Sequence, residues 1–162
     1  MATLAEINAS AGSDVIIRTL EITSPAWADP VLICNGFDDQ MCIIEDGRTL
    51  TFIAANVGIE LASKNNKGNQ SLAFSLDNTT GEVSRKSDDA IEADETVNVV
   101  YRTFLESNKA APAAKPYRMT LLSGSIKGAV AQMQCGYFNM ISVAWPRRLY
   151  TANDFPALRY MI

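Results

Sequence analysis

Histidine does not occur anywhere in the 162 residues. Its absence removes Ser-His-Asp and Cys-His nucleophile systems, His-containing zinc sites and the commonest general base. Carboxylate and lysine chemistry stay open. Cysteine is scarce: Cys34, Cys42 and Cys135 make an odd number without a CxxC pair. In a reducing compartment such thiols are usually buried and pack as small hydrophobes. No apolar run approaches the roughly 20 residues of a membrane span, so no stable membrane association is expected. The opening MATLAEINAS lacks the basic start and apolar core of a signal peptide, which predicts a chain that stays, or is assembled, inside a cell. Positive charge is also in deficit. A net charge of −4 and a pI near 4.8 argue against specific nucleic-acid binding, which needs clustered Lys and Arg.

What is present suits one globular domain. With 48% hydrophobic and 20% charged residues, the chain can bury a core without metal or disulfide staples. Its organising stretch is TVNVVYRTFLE, Thr96–Glu106. Val97, Val99, Tyr101 and Leu105 alternate on one face; Asn98, Arg102 and Glu106 take the other, interrupted by Val100 and Phe104. Period-two alternation of β-branched and aromatic residues is the mark of a strand. Strand-like stretches lie on both sides of it in sequence, which places it in the middle of a sheet.

In chain order, Thr3–Ala9 predicts a short helix with Thr3 and Glu6 spaced as a capping box. Asp14–Thr23 reads as a first strand and Val31–Asn35 as a second, separated by a loop carrying Trp27. Met41–Glu45 and Arg48–Ala54 flank Asp46-Gly47, a link that favours a type I′ turn. Val57, Ile59 and Leu61 alternate, and a polar turn follows at Lys64–Asn69. Leu72, Phe74 and Leu76 make a strand buried on one side. Thr79 and Glu82 repeat the capping-box spacing before an amphipathic helix over Gly81–Ala93, using Val83, Ala90 and Ile91. Asn108–Pro116 reads as a long hairpin tip. Tyr117–Ser123 returns, and Ser125–Tyr137 reads as one long strand with Gly124, Gly128 and Gly136 as bend or bulge positions. The expected fold is mainly β (α+β): an antiparallel β-sandwich or barrel-like domain of eight or nine strands with one or two short helices.

The last stretch differs. From Ile141 the sequence has no steady period and carries Trp145, Arg147, Arg148, Tyr150, Phe155, Leu158 and Tyr160. A lone extended segment cannot bury such rings on itself, so this arm covers its own domain or docks on another subunit. The division is a β-rich domain over 1–140 and an aromatic, Arg-rich arm over 141–162.

The segments VLICN, EDGRTLTFIAA, GIELASKNNKGNQSLAFSLDN and VVYRTFLES, in that order, resemble a family of bacteriophage minor tail proteins of the tail tip. Their strand order is similar to that of the N-terminal module of the lambda minor tail protein L. The closing AWPRRLYTANDFPALRYM resembles the end of the short members of that family. The resemblance covers about Asp14 to Met161. It implies a hub-type β domain at the junction of tail tube and distal tip. It further implies a homo-oligomeric ring, other tail-tip proteins as partners, and a place in the virion. The lambda protein also carries a cysteine-rich region associated with an iron–sulfur cluster. Cys34, Cys42 and Cys135 do not reproduce a four-cysteine set, so no cofactor is carried over.

Other patterns read more plainly. Asp88, Asp89, Glu92, Asp94 and Glu95 lack calcium-loop spacing and predict a solvated face, with no metal site. Arg147-Arg148 fit carboxylate or aromatic partners better than phosphate. With no phosphate loop, nucleophile elbow or metal-ligand cluster, no catalytic residue is assigned and the chain is not expected to be an enzyme. A carboxylate-pair hydrolase is the one enzymatic alternative. The others are a tail-assembly helper and a small β-barrel module holding an apolar molecule inside.

Overall fold

The protein is described from a computed structural model over residues 9, 14–60, 71–77, 81–137 and 154–157. Among these residues there are nine strands and one longer helix. The strands are β1 (Ile16–Thr23), β2 (Val31–Asn35), β3 (Gln40–Ile43), β4 (Thr49–Ala55) and β5 (Val57–Glu60). They continue with β6 (Ser71–Asp77), β7 (Asn98–Leu105), β8 (Tyr117–Lys127) and β9 (Val130–Gly136); the helix α1 is Glu82–Glu92. All nine join one sheet in the order β3-β4-β2-β1-β7-β8-β9-β6-β5. The organising stretch therefore supplies β7, the fifth of nine strands. The fold is mainly β, as its alternation implied. Pairing is antiparallel except between β2 and β4, where Ile33 lies opposite Ile53 in a parallel register.

Both faces of β1 and β7 are covered, and this is why their alternation looked interrupted. Leu20 pairs with Tyr101 and Ile22 with Val99, and these four sit in a main cluster with Leu72, Phe74, Leu76, Met119, Ala131, Met133 and Cys135. Ile17 pairs with Phe104 on the opposite face. There they join Cys34, Cys42, Ile44 and Phe52 in a second cluster under the β3–β4 hairpin. Val100 and Phe104, which break the simple pattern, are thus partly and fully buried on that second side. Two-sided burial is the general reason a central strand reads as a nearly continuous apolar run. Phe52 and Phe104 have no exposed surface, and each such burial contributes about 2 kcal/mol or more.

Turn chemistry departs from expectation in two places. Gly47 has φ 78° while Asp46 does not enter the left-handed region. The Gly47 N–H donates to the Ile44 carbonyl, and the Ile44 N–H donates to Arg48. This is a turn over Glu45 and Asp46 followed by a left-handed glycine, not the type I′ link that Asp-Gly suggested. Farther on, Ser125–Tyr137 is not one strand. Lys127 pairs with Val130 and Gly128 has φ 61°. The chain thus reverses over Gly128-Ala129, with glycine at the first central position as in a type II′ turn. β8 instead runs through Gly124 without a break. Its irregularity lies between Leu121 and Ser123, where the register slips by one residue and Leu122 is turned outward.

Helix α1 also differs in detail. It starts after Gly81 (φ 70°) with no side-chain cap, so Glu82 is its first residue and not the third that the capping-box spacing expected; Thr79 lies outside the described residues. Val83 and Ala90, seven residues apart, face the main cluster, whereas Ile91 is 75% exposed. At 100° per residue Ile91 follows Ala90 around the helix and out of the contact. Asp88, Asp89, Glu92, Asp94 and Glu95 are all exposed, the solvated face expected of them. The loop after β7 is no free tip: Lys109 accepts from the Ile43 N–H on the β3 edge, and the Ala113 N–H returns to Thr103. The expected helix at Thr3–Ala9 lies outside the described residues except for its last position, as does the turn at Lys64–Asn69.

Candidate functional site

The sequence alternation puts Thr19 and Glu21 of β1 and Arg102 of β7 on the second face of the sheet, with Arg118 of β8 next to them across the register. Beyond Ile17 and Phe104 the second cluster ends, and the β3–β4 turn brings Glu45 over this polar patch. Arg102 is the largest fully buried side chain in the described protein, 2% exposed. A guanidinium in that position needs a hydrogen-bond partner for each of its nitrogens and a compensating charge nearby.

Both requirements are met. Arg102 Nη1 donates to Glu21 Oε2 at 2.6 Å. Nε and Nη2 donate to the two oxygens of Glu45 at 2.7 and 3.1 Å, a bidentate fork. Arg118 Nη2 adds a fourth bond, to Glu45 Oε1 at 2.5 Å. Two carboxylates and two guanidiniums thus form a neutral network joining β1, β7, β8 and the β3–β4 turn. Hydrogen bonding to Arg102 holds the Glu45 carboxyl below its ordinary value, with burial opposing. For Arg102, burial works against the charge, but its bonds to Glu45 and Glu21 outweigh it and keep the group above its usual value. An open groove of about 700 Å³ runs past the network, bordered by Arg48, Asn98, Arg118 and Tyr137.

Chemically this is a clamp. A general acid needs a carboxyl that keeps its proton near neutral pH, usually in an apolar site; here both carboxylates are already engaged by Arg102. Among the described residues no group of three or more His, Cys, Asp or Glu side chains is placed to hold a metal ion. No helix among them is long and apolar enough to cross a membrane. All three cysteines are buried as free thiols. Burial raises the Cys135 thiol to about 12 and also raises Cys34 and Cys42. These are packing residues, as their sequence setting implied. Lys115 and Lys127 are exposed.

Of the expected arm contacts, Phe155 is half-buried and flanked by exposed Asp154 and Pro156. Trp145, Arg147, Arg148, Tyr150, Leu158 and Tyr160 lie outside the described residues. Sequence reasoning missed the network entirely, treating Arg102 as one polar residue among several on an outer face. The available signal was a lone arginine inside a β-rich run, matched by a lone glutamate in the strand DVIIRTLEIT.

Exposed apolar residues are grouped by strand. Met41 and Ile43 of β3 and Ile53 of β4 share the outer face of their hairpin, at 63%, 37% and 62% exposure, and Phe37 is fully exposed in the preceding loop. Leu122, Ile126 and Val130 are exposed along the β8–β9 hairpin.

A family described as a domain of unknown function, DUF1833, matches residues 2–150, and the chain belongs to it. No curated protein matches the chain.

Proposed function

We propose that the protein is a structural component of the bacteriophage tail tip, a minor tail, hub-like subunit joining the tail tube to the distal tip. The observation that carries this reading is the row of exposed apolar side chains on the β3–β4 hairpin, Met41, Ile43 and Ile53, with Phe37 beside them. Met41, Ile43 and Ile53 are held on regular strands, backed by the second cluster and fastened by the Glu45–Arg102 fork, and Phe37 stands in the loop before β3. Rigid, outward apolar side chains on a fixed scaffold suit a permanent subunit contact, where such anchors supply most of the binding energy. The order of segments shared with phage minor tail proteins supports the same reading. The partner on this face is a second copy of the chain in a closed ring, with other tail-tip proteins above and below. The protein is then a virion component, assembled in the host cytoplasm.

In this reading the arm over 141–162 holds neighbouring subunits through Trp145, Tyr150 and Tyr160. Removing the residues after Ala144 then abolishes ring assembly while leaving a soluble β domain. Normal assembly by the shortened chain would rule the arm out, and unfolding would mean that it closes its own core. The deciding experiment is labelling of purified phage particles, intact and partly disrupted, with antiserum against the chain. Label at the far end of the tail supports the role. Protein found only in the infected-cell lysate would mean a tail-assembly helper instead.

A further inference from the structure

Among the described residues the main apolar cluster is incompletely closed at one place. Seven partly buried apolar residues form its margin, and six of them line a single cleft: Trp27, Val31, Ile33, Ala55, Val83 and Leu121. These six residues thus border one concavity. The cleft has a volume of about 330 Å³ and lies between the first half of α1, the Trp27 loop and residues of β1, β2, β4, β6, β8 and β9, with exposed Ile53 among its lining residues. Ligand pockets generally fall between about 300 and 1,000 Å³ and combine apolar walls with a few polar groups.

The polar groups around the cleft decide what class of molecule fits. The Trp27 Nε1–H donates to the Lys86 carbonyl at 2.9 Å, and Lys86 Nζ donates to the Asp29 carbonyl at 3.2 Å. Lys86 Nζ also sits 5.5 Å from the Trp27 ring centre and 3.6 Å from Glu82. The Ser87 hydroxyl donates to Val83. Among the described residues every buried side-chain nitrogen and oxygen has a hydrogen-bond partner. No buried side-chain donor among them is left over for a ligand oxygen. The charged groups are Asp77, Glu82 and Lys86, two negative against one positive, so an anion gains nothing there.

We infer that this cleft binds an uncharged apolar small molecule, a single aromatic ring or a short alkyl chain. The wall formed by α1 is the one that yields to admit it. That helix buries only Ala90 fully and begins at an uncapped glycine. The Trp27–Lys86 contacts latch the loop to the helix. The inference does not rest on the tail-tip reading: the cleft shares Ile53 with the outer face of the β3–β4 hairpin, but its other walls belong to α1, the Trp27 loop and the main cluster.

The test is a titration of the full chain with toluene and with 1-hexanol, followed by backbone amide shifts in NMR. Saturable shifts centred on Val83, Lys86 and Leu121 are expected, with hexanoate at least tenfold weaker than 1-hexanol. Ala55→Leu fills the floor of the cleft and is expected to weaken both neutral probes at least tenfold; Val83→Phe does the same from the helix side should the first variant fold poorly. Absence of saturable shifts in the native chain overturns the inference. So does unchanged affinity in the folded variants, which would place the probes elsewhere, and so does hexanoate binding as tightly as 1-hexanol.

Discussion

Arg102 of β7 and Glu45 of the β3–β4 turn are 57 residues apart in sequence and meet through two hydrogen bonds, at 2.7 and 3.1 Å. The contact fastens the β3–β4 hairpin to the centre of the sheet. It also sets the cost of disturbing either partner.

Substituting Arg102 by Met leaves Glu21, 6% exposed, without its ionic partner. Stranding one member of a buried pair costs about 3–5 kcal/mol. The double variant Arg102→Met/Glu21→Leu removes the stranded charge and is expected to recover most of that loss, since Glu45 is exposed enough to be hydrated. Urea unfolding of the two variants and of Glu21→Leu alone gives the coupling.

Acid weakens the same clamp. Glu45 is held below its ordinary value, first by its hydrogen bond to Arg102. A carboxyl depressed in the folded state contributes stability above its unfolded pKa, about 4.3, and that contribution fades as pH falls through the folded value. Glu45→Gln is therefore less stable than the native chain near neutral pH. The gap between their urea midpoints narrows below about pH 4. A gap that stays constant across that range would show that the charge of Glu45 is not what fastens the turn.

At the β8–β9 turn, Gly128 has φ 61° and open space where a Cβ would go. Gly128→Ala thus meets no clash and isolates the backbone cost of the left-handed region, about 1 kcal/mol. Gly128→Asn, which tolerates that region better, loses less. Thermal unfolding of both variants measures the difference.

The thiols are expected to be silent. Cys34, Cys42 and Cys135 have no exposed surface, and burial raises all three pKa values. The thiolate is the reactive form, so an aromatic disulfide reagent labels none of them rapidly at neutral pH and all three in denaturant. Fast labelling of the native chain would reveal local opening of one of the two clusters.

Short-range patterns settled a good deal by themselves. Alternation alone located β6, with Leu72, Phe74 and Leu76 inward, because one face of that strand is apolar and the other polar. Alternation also marked β7 as a strand, and the strand-like stretches on both sides of it in sequence implied its central position. The same argument failed at Ser125–Tyr137, where a glycine able to bend a strand and a glycine able to reverse one look alike. It failed at Ile91, where a helix with few apolar residues leaves its buried face ambiguous. The proposed kinship with phage minor tail proteins rests on hydrophobic spacing and not on a chemical motif.

What only the tertiary structure decided was which distant residues meet. The local pattern of β1 and β7 carries a glutamate and an arginine on the same side of neighbouring strands. Nothing within either strand says that a turn 57 residues before Arg102 covers them. The parallel pairing of β2 with β4 and the cleft beside α1 likewise bring together residues that are distant along the chain. Periodicity is a property of neighbours along the chain, and it determined the strands. Burial of Arg102 and incomplete closure of the core are properties of neighbours in space, and the fold alone determined those.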